Sequence, residues 1–233
     1  MIEFLGIKKK LGTSFELVIN SLKINSNDFV ILIGNNGAGK TTMLKLILDL
    51  ITPDHGVVYS FDCPVKSDEK WKMYTGVYLD ESFLVPYLTA KEYFQLILEC
   101  KGYSKQDISV HLLPFTDFLA WEAFADNGSL IRTMSKGEKQ KIGIVASFIG
   151  KPKVIILDEP FSFLDPRSQT SFIKILNDHH SGEGCLIILS SHNLAYLERI
   201  GNRIIALDNG HIIKDVEKNE GNIADVLHFL NRP

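Results

Sequence analysis

Gly34-Asn35-Asn36-Gly37-Ala38-Gly39-Lys40-Thr41 has the spacing of a loop that binds phosphate. Glycines let successive backbone N–H groups turn toward phosphate oxygens, and a helix that follows presents the positive end of its dipole to the same anion. Lys40 adds a mobile ammonium for β- and γ-phosphates, and Thr41 a hydroxyl for Mg²⁺. A second signal is Val154-Ile155-Ile156-Leu157-Asp158-Glu159, an apolar run that ends in two acids. Successive strand side chains point to opposite faces, so the two carboxylates can take different roles. One can hold Mg²⁺ while the next orients and activates water. In a doubly wound sheet, ligands bind at such strand ends, beside the phosphate loop. Either feature alone could be a plain Gly-rich turn or a solvated strand end; together they predict chemistry on a nucleotide's phosphates.

These groups need a strand before the loop and a helix after it. Phe29-Val30-Ile31-Leu32-Ile33 reads as a strand buried on both faces. Met43, Leu44, Ile47, Leu48 and Ile51 recur at helical spacing, which predicts a helix over 40–50. The first 33 residues read as strands, with 15–24 partly alternating and a turn at Asn25-Ser26-Asn27-Asp28. A strand is expected at 75–79. Residues 85–150 read as mostly helical, with segments at 90–101 (capped by Thr89), 104–119 and 137–150. Alternation of strand and helix then returns: strands at 154–157, 186–189 and 203–207, helices at 166–176, 194–200 and 221–230, and a hairpin at Asp208-Asn209-Gly210. The expectation is an α/β fold with a mostly parallel core sheet, an N-terminal antiparallel β part and a helical subdomain. Residues 1–233 read as a single domain, with 1–84 and 151–233 as core and β part and about 85–150 as the helical insertion.

Bulk properties bound the alternatives. The 233 residues suffice for a sizeable core. Twenty-five Lys and Arg against 28 Asp and Glu leave a net charge of −3, with no bulk attraction to nucleic acid or an anionic membrane. The longest apolar runs are far short of the roughly 18–20 residues of a membrane span. Met1-Ile2-Glu3-Phe4 does not open a signal peptide. Cys63, Cys100 and Cys185 lie far apart and read as reduced thiols. His179-His180 reads as an ordinary polar turn.

Five motifs, in order, resemble the ATP-binding subunit of an ATP-binding-cassette (ABC) transporter. They are the phosphate loop, Met134-Ser135-Lys136-Gly137-Glu138-Lys139-Gln140 as the signature, Leu157-Asp158-Glu159-Pro160, the dimer-contact loop Phe163-Leu164-Asp165, and the histidine switch Ser190-Ser191-His192. The resemblance implies a P-loop ABC-type ATPase that hydrolyses ATP to ADP and phosphate. It implies a head-to-tail dimer with a second copy or a related ABC ATPase subunit, each ATP lying between one chain's loop and the other's signature. Asn35, Asn36, Gly37, Ala38, Gly39, Lys40, Thr41 and Thr42 would bind the nucleotide. Ser135 and Gly137 would reach the partner's γ-phosphate, Glu159 would act as general base, and His192 would contact the γ-phosphate and the water. Lys40 would stabilise charge on the transferring group, and Thr41 and Asp158 would hold Mg²⁺.

Some positions depart from the family pattern. Asp80 stands where the family usually has Gln, as a possible ligand of a Mg²⁺-bound water. Leu11 falls at the adenine-stacking position, with Phe15 the nearest aromatic able to replace it. The acid loop and Ser135-Lys136-Gly137 resemble bacterial exporters of antibiotic peptides and related compounds. The expected partner is a separate integral-membrane permease, met by 80–130, with Phe83, Tyr87 and Trp121 as candidate apolar anchors. The expected location is cytoplasmic, peripheral on the inner face of the cell membrane, and no nucleic-acid partner is expected. The alternatives are a soluble ABC-type ATPase of iron–sulfur cluster assembly, echoed by Gly137-Glu138-Lys139, or another non-transport process.

Overall fold

The computed structural model describes residues 1–120, 128–193, 196 and 199–230. Ten strands among these residues form one sheet: β1 (Ile2–Leu11), β2 (Phe15–Ile24), β3 (Phe29–Ile33), β4 (His55–Ser60), β5 (Cys63–Pro64), β6 (Thr75–Tyr78), β7 (Val154–Leu157), β8 (Leu186–Ser191), β9 (Arg203–Asp208) and β10 (His211–Glu217). Their order is β5-β4-β1-β2-β10-β9-β3-β8-β7-β6. The run β9-β3-β8-β7-β6 is parallel throughout. On the other side β1 pairs antiparallel with β2 and β4, and β10 pairs antiparallel with β9 through the Asn209-Gly210 hairpin. This is the mostly parallel core with an antiparallel N-terminal part that the sequence predicts.

The parallel strands are buried on both faces, and alternation sorts their side chains. Val30, Leu32, Val154, Ile156, Leu186 and Ile188 pack with Met43, Leu44 and Ile47 of the helix Lys40–Ile47. Ile31, Ile33, Ile155, Leu157, Ile187 and Leu189 face the other way, onto Phe94, Phe148 and Phe172. Burying one such side chain is worth about 1.5–3 kcal/mol, so both faces hold the strands in register. The carboxyl ends of β3, β8 and β7 lie side by side, with Ile33 opposite Ser191 and Leu157 opposite Leu189.

Several elements differ from the sequence expectation. The helix expected over 40–50 stops at Ile47, and Asp49 adopts φ 49°. The segment 104–119 is not one helix: α-helical turns Ile108–Leu112 and Thr116–Leu119 are separated by a 3₁₀ turn, Leu113–Phe115. Pro114 sits in that turn, where it has no N–H to continue an α-helical ladder. The helix from Pro166 runs on to Glu183 and ends at Gly184 in the left-handed conformation. Strand β4 carries little β-branched alternation and takes its place by pairing with β1. Of the helix expected at 194–200, residues 194, 195, 197 and 198 lie outside the described residues, as does Trp121. No helix among the described residues is long and apolar enough to cross a membrane.

Candidate functional site

The phosphate loop joins the end of β3 to the helix Lys40–Ile47. Gly37 and Gly39 adopt φ of 84° and 109°, conformations that side-chain-bearing residues rarely reach. A Cβ on Gly34 would lie 2.3 Å from the Leu207 carbonyl oxygen, so this position has room only for hydrogen. The loop lines a cleft of about 410 Å³ together with Leu11, Phe15 and Glu159. Asn35, Asn36, Gly37, Gly39, Lys40, Thr41 and Thr42 all border it, whereas Ala38 is buried beneath. Phe15 stands at the rim, its ring also packed toward Gly39. The exposed Leu11 accompanies it, so the rim carries an aliphatic and an aromatic side chain.

Strand alternation explains how the two acids divide. Asp158 continues the Val154 and Ile156 face, the side on which the Lys40–Ile47 helix packs. There Thr41 Oγ1 donates to Asp158 Oδ2 at 2.5 Å across 117 residues of sequence. Ser190, from the end of β8, donates to the other oxygen of Asp158. Glu159 leaves the strand with φ 47°, a left-handed backbone for a non-glycine residue. Such a conformation costs on the order of 1–3 kcal/mol and persists only where its surroundings hold it. Its N–H donates to Ser190 Oγ at 2.9 Å. Its carboxylate lies between two groups, with His192 Nδ1 2.8 Å from Oε2 and Lys40 Nζ 3.6 Å from Oε1. Lys40 also donates to the Gly34 and Asn35 carbonyls, at 2.7 and 3.3 Å.

A second cleft of about 460 Å³ adjoins the first through Thr41 and Glu159. It is lined also by Tyr78, Asp80, Glu81, Asp158 and Phe163. Asp80 therefore borders the region of Thr41 and Asp158, although its Oδ1 accepts from Ser82 N at 2.7 Å and caps a short 3₁₀ turn. Thr41 and Asp158 together offer the hard oxygen donors that Mg²⁺ prefers.

Ser135 and Gly137 border neither cleft. They open the helix Lys136–Phe148, whose N-cap is Ser135. Ser135 Oγ accepts from Glu138 N at 3.3 Å, and Ser135 N donates to Glu138 Oε2 at 2.7 Å, a reciprocal capping box. A Cβ on Gly137 would lie 2.9 Å from the Phe163 carbonyl oxygen, so the signature and the following loop approach closely. Phe163 is exposed, with φ 61° and the Lys136 ammonium 5.1 Å from its ring centroid.

Two participants were given no role by the sequence, although Gln140 closes the signature motif. Gln140, buried on the Lys136–Phe148 helix, donates from Nε2 to the Pro160 carbonyl at 3.0 Å and to the Glu159 carbonyl at 3.3 Å. Tyr78, at the end of β6, donates to Gln140 Oε1 at 2.8 Å. Burial, with Asp80 and Glu81 nearby, pushes the Tyr78 phenol far above its ordinary range and keeps it a donor.

Comparison with known proteins supplies the context. The ABC transporter family model matches residues 18–162. The glutamine transport ATP-binding protein GlnQ of Escherichia coli is 29% identical over 226 residues, covering 92% of this chain and 90% of that protein. The methionine import ATP-binding protein MetN of Clostridioides difficile is 29% identical over 219 residues, covering 92% of this chain and 68% of its own length. Among solved structures, an ATP-binding subunit of an ABC transporter superposes with a TM-score of 0.87 at 25% identity, over 99% of both chains. A dimeric bacterial ABC transporter cassette, MJ0796, gives 0.82 at 25% identity, over 93% of this chain and 98% of that one.

Proposed function

Because the chain belongs to the ABC transporter family, we propose that it is the ATP-binding and hydrolysing subunit of a transporter whose membrane-spanning part is a separate permease chain. The observation that carries this reading is the meeting of Lys40, Thr41, Asp158, Glu159 and His192 at the ends of three adjacent parallel strands.

The mechanism follows from what each group can do. The loop amides and Lys40 bind the β- and γ-phosphates and offset their charge. Glu159 accepts a proton from a water as its oxygen attacks the γ-phosphorus, and the bond to the β-phosphate oxygen breaks to give ADP and phosphate. His192, 2.8 Å from the Glu159 carboxylate, orients that base and would contact the γ-phosphate. Mg²⁺, held by Thr41 and Asp158 with Asp80 at the edge, would supply positive charge to the phosphate oxygens. Phe15 and Leu11 offer the apolar rim for the adenine.

The dimeric form of the related cassette supports a pair with a second copy or a related ABC ATPase subunit, which we read as head-to-tail. In that pair Ser135 and the Gly137 amide serve the partner's nucleotide, in keeping with their absence from the lining of this chain's own clefts, although Lys136 between them borders the second. The relatives named above are transport and import proteins, so they lend no support to the exporter subclass suggested by Asp80-Glu81 and Ser135-Lys136-Gly137. The surface offered to that permease includes Phe83 and Tyr87, both exposed. A cytoplasmic place against the inner face of the cell membrane follows from that partnership. The reading in iron–sulfur cluster assembly rests on Gly137-Glu138-Lys139 alone.

The test is Glu159→Gln. ATP should still bind, hydrolysis should slow by roughly 10²–10⁴, and an ATP-bound dimer should accumulate in size-exclusion chromatography. Near-normal turnover would remove Glu159 from its role. Purified from membranes in the presence of ATP, the same variant should retain a multi-span membrane protein; recovery with soluble partners alone would overturn the transport reading.

A further inference from the structure

The bonds that hold Glu159 extend beyond the groups that face the phosphates. A left-handed non-glycine backbone needs fixing from both sides, because ordinary conformations of the same residue would aim the carboxylate elsewhere. On the amide side Ser190 Oγ accepts the Glu159 N–H at 2.9 Å. On the carbonyl side Ser162 N donates to the Glu159 oxygen at 3.1 Å. Gln140 Nε2 then bridges the Glu159 and Pro160 carbonyls, at 3.3 and 3.0 Å. Two carbonyl oxygens on one side determine which end of the Gln140 amide carries the N–H groups. The remaining oxygen of the amide is met by the Tyr78 hydroxyl at 2.8 Å. Gln140 is 6% exposed and Tyr78 3%, so these bonds are largely shielded from water although both side chains border the second cleft. The Tyr78 ring is itself wedged against Gly143, where a Cβ would lie 2.0 Å from a ring carbon.

We infer that Gln140 is a positioning residue for Glu159: braced by Tyr78, it clamps the two carbonyls after the strand end and so keeps the Glu159 carboxylate aimed at His192 and Lys40. This deepens the reading of Glu159 as general base and rests on it. Gln140 borders the second cleft, but in this role it acts through the backbone of Glu159. Although Gln140 shares a helix with Ser135, its contacts are with its own chain's Glu159, so its effect belongs to the site formed by its own phosphate loop.

The test is single-turnover hydrolysis of γ-labelled ATP by the whole chain, with affinity measured separately by titrating a fluorescent ATP analogue. Gln140→Leu should lower the rate about 10- to 100-fold, the cost of displacing a reacting group by about an ångström. Affinity should stay within about twofold, and in a Glu159→Gln background the second substitution should cost nothing more, because its route of action is already gone. A loss that multiplies with that of Glu159→Gln, or affinity that falls in step with rate, would overturn the inference. Near-normal hydrolysis by Glu159→Gln alone would instead overturn the assignment of the base. Tyr78→Phe keeps the ring and removes only the brace, and provides the second reading if Gln140→Leu does not fold. It should show a smaller loss of rate with the same non-additivity, and an unchanged rate would count against the clamp.

Discussion

The ends of β3, β7 and β8 and the segment from Phe83 to Leu113 solve opposite problems. At the strand ends, Lys40, Thr41, Asp158, Glu159, Ser190 and His192 hold one another through short polar contacts drawn from distant parts of the sequence. In the second region Phe83, Val85, Tyr87, Leu96, Val110 and Leu113 leave apolar surface exposed, with Tyr87, Val110 and Leu113 each about 70% exposed. The helix Ala90–Cys100 there is followed by the short turns Lys105–Asp107 and Ile108–Leu112, and the Arg132 guanidinium lies 5.4 Å from the ring centroid of the exposed Tyr87. The difference teaches where each region's geometry comes from. In the proposed reading, the groups that this chain contributes to phosphoryl transfer are preorganised before substrate arrives, because they hold one another. The proposed docking surface would keep its apolar groups outside until a partner covers them.

Substitutions that break this contrast should act on chemistry at the first region and on association at the second. Lys40→Ala should have the largest effect, abolishing ATP binding or turnover in an equilibrium-binding and phosphate-release assay. Retained Mg·ATP affinity would remove Lys40 from the phosphate site. Ser135→Ala comes next and probes the site across the dimer. In a mixed dimer it should impair the nucleotide site of the opposite chain, at a cost of about 1 kcal/mol to its own helix cap. Impairment confined to its own chain would end the head-to-tail arrangement.

Gly143→Ala sharpens the comparison from below. Its added methyl would meet the Tyr78 ring, so thermal unfolding should report a loss of about 1–3 kcal/mol, the usual cost of overpacking. An unchanged melting temperature would mean that the contact between β6 and the Lys136–Phe148 helix is loose. The smallest effect on stability belongs to Tyr87→Ala, within about 0.5 kcal/mol, as for an exposed side chain. It should nevertheless weaken recovery of the membrane partner in a pull-down; undiminished recovery would move the docking surface elsewhere.

The sequence alone determined the elements whose signal is local. The glycine spacing of 34–41, the apolar runs of β3 and β7, and the capping residue Thr89 each act within a few residues, through backbone freedom, burial or a cap. For the same reason the order of motifs along the chain was enough to recognise the family. Interruptions were harder to read where a single residue outweighs periodicity, as Pro114 does within 104–119. Only the tertiary structure decided which side chains meet. Thr41 reaches Asp158 because the loop helix and the even-numbered face of β7 pack on the same side of the sheet. Gln140 reaches the Glu159 carbonyl because its helix lies over the strand end, and Tyr78 reaches Gln140 across 62 residues of sequence. Such pairings depend on the register of strands and on which face of a helix is buried. No run of neighbouring residues carries that information, because long-range packing of the two hydrophobic clusters sets it.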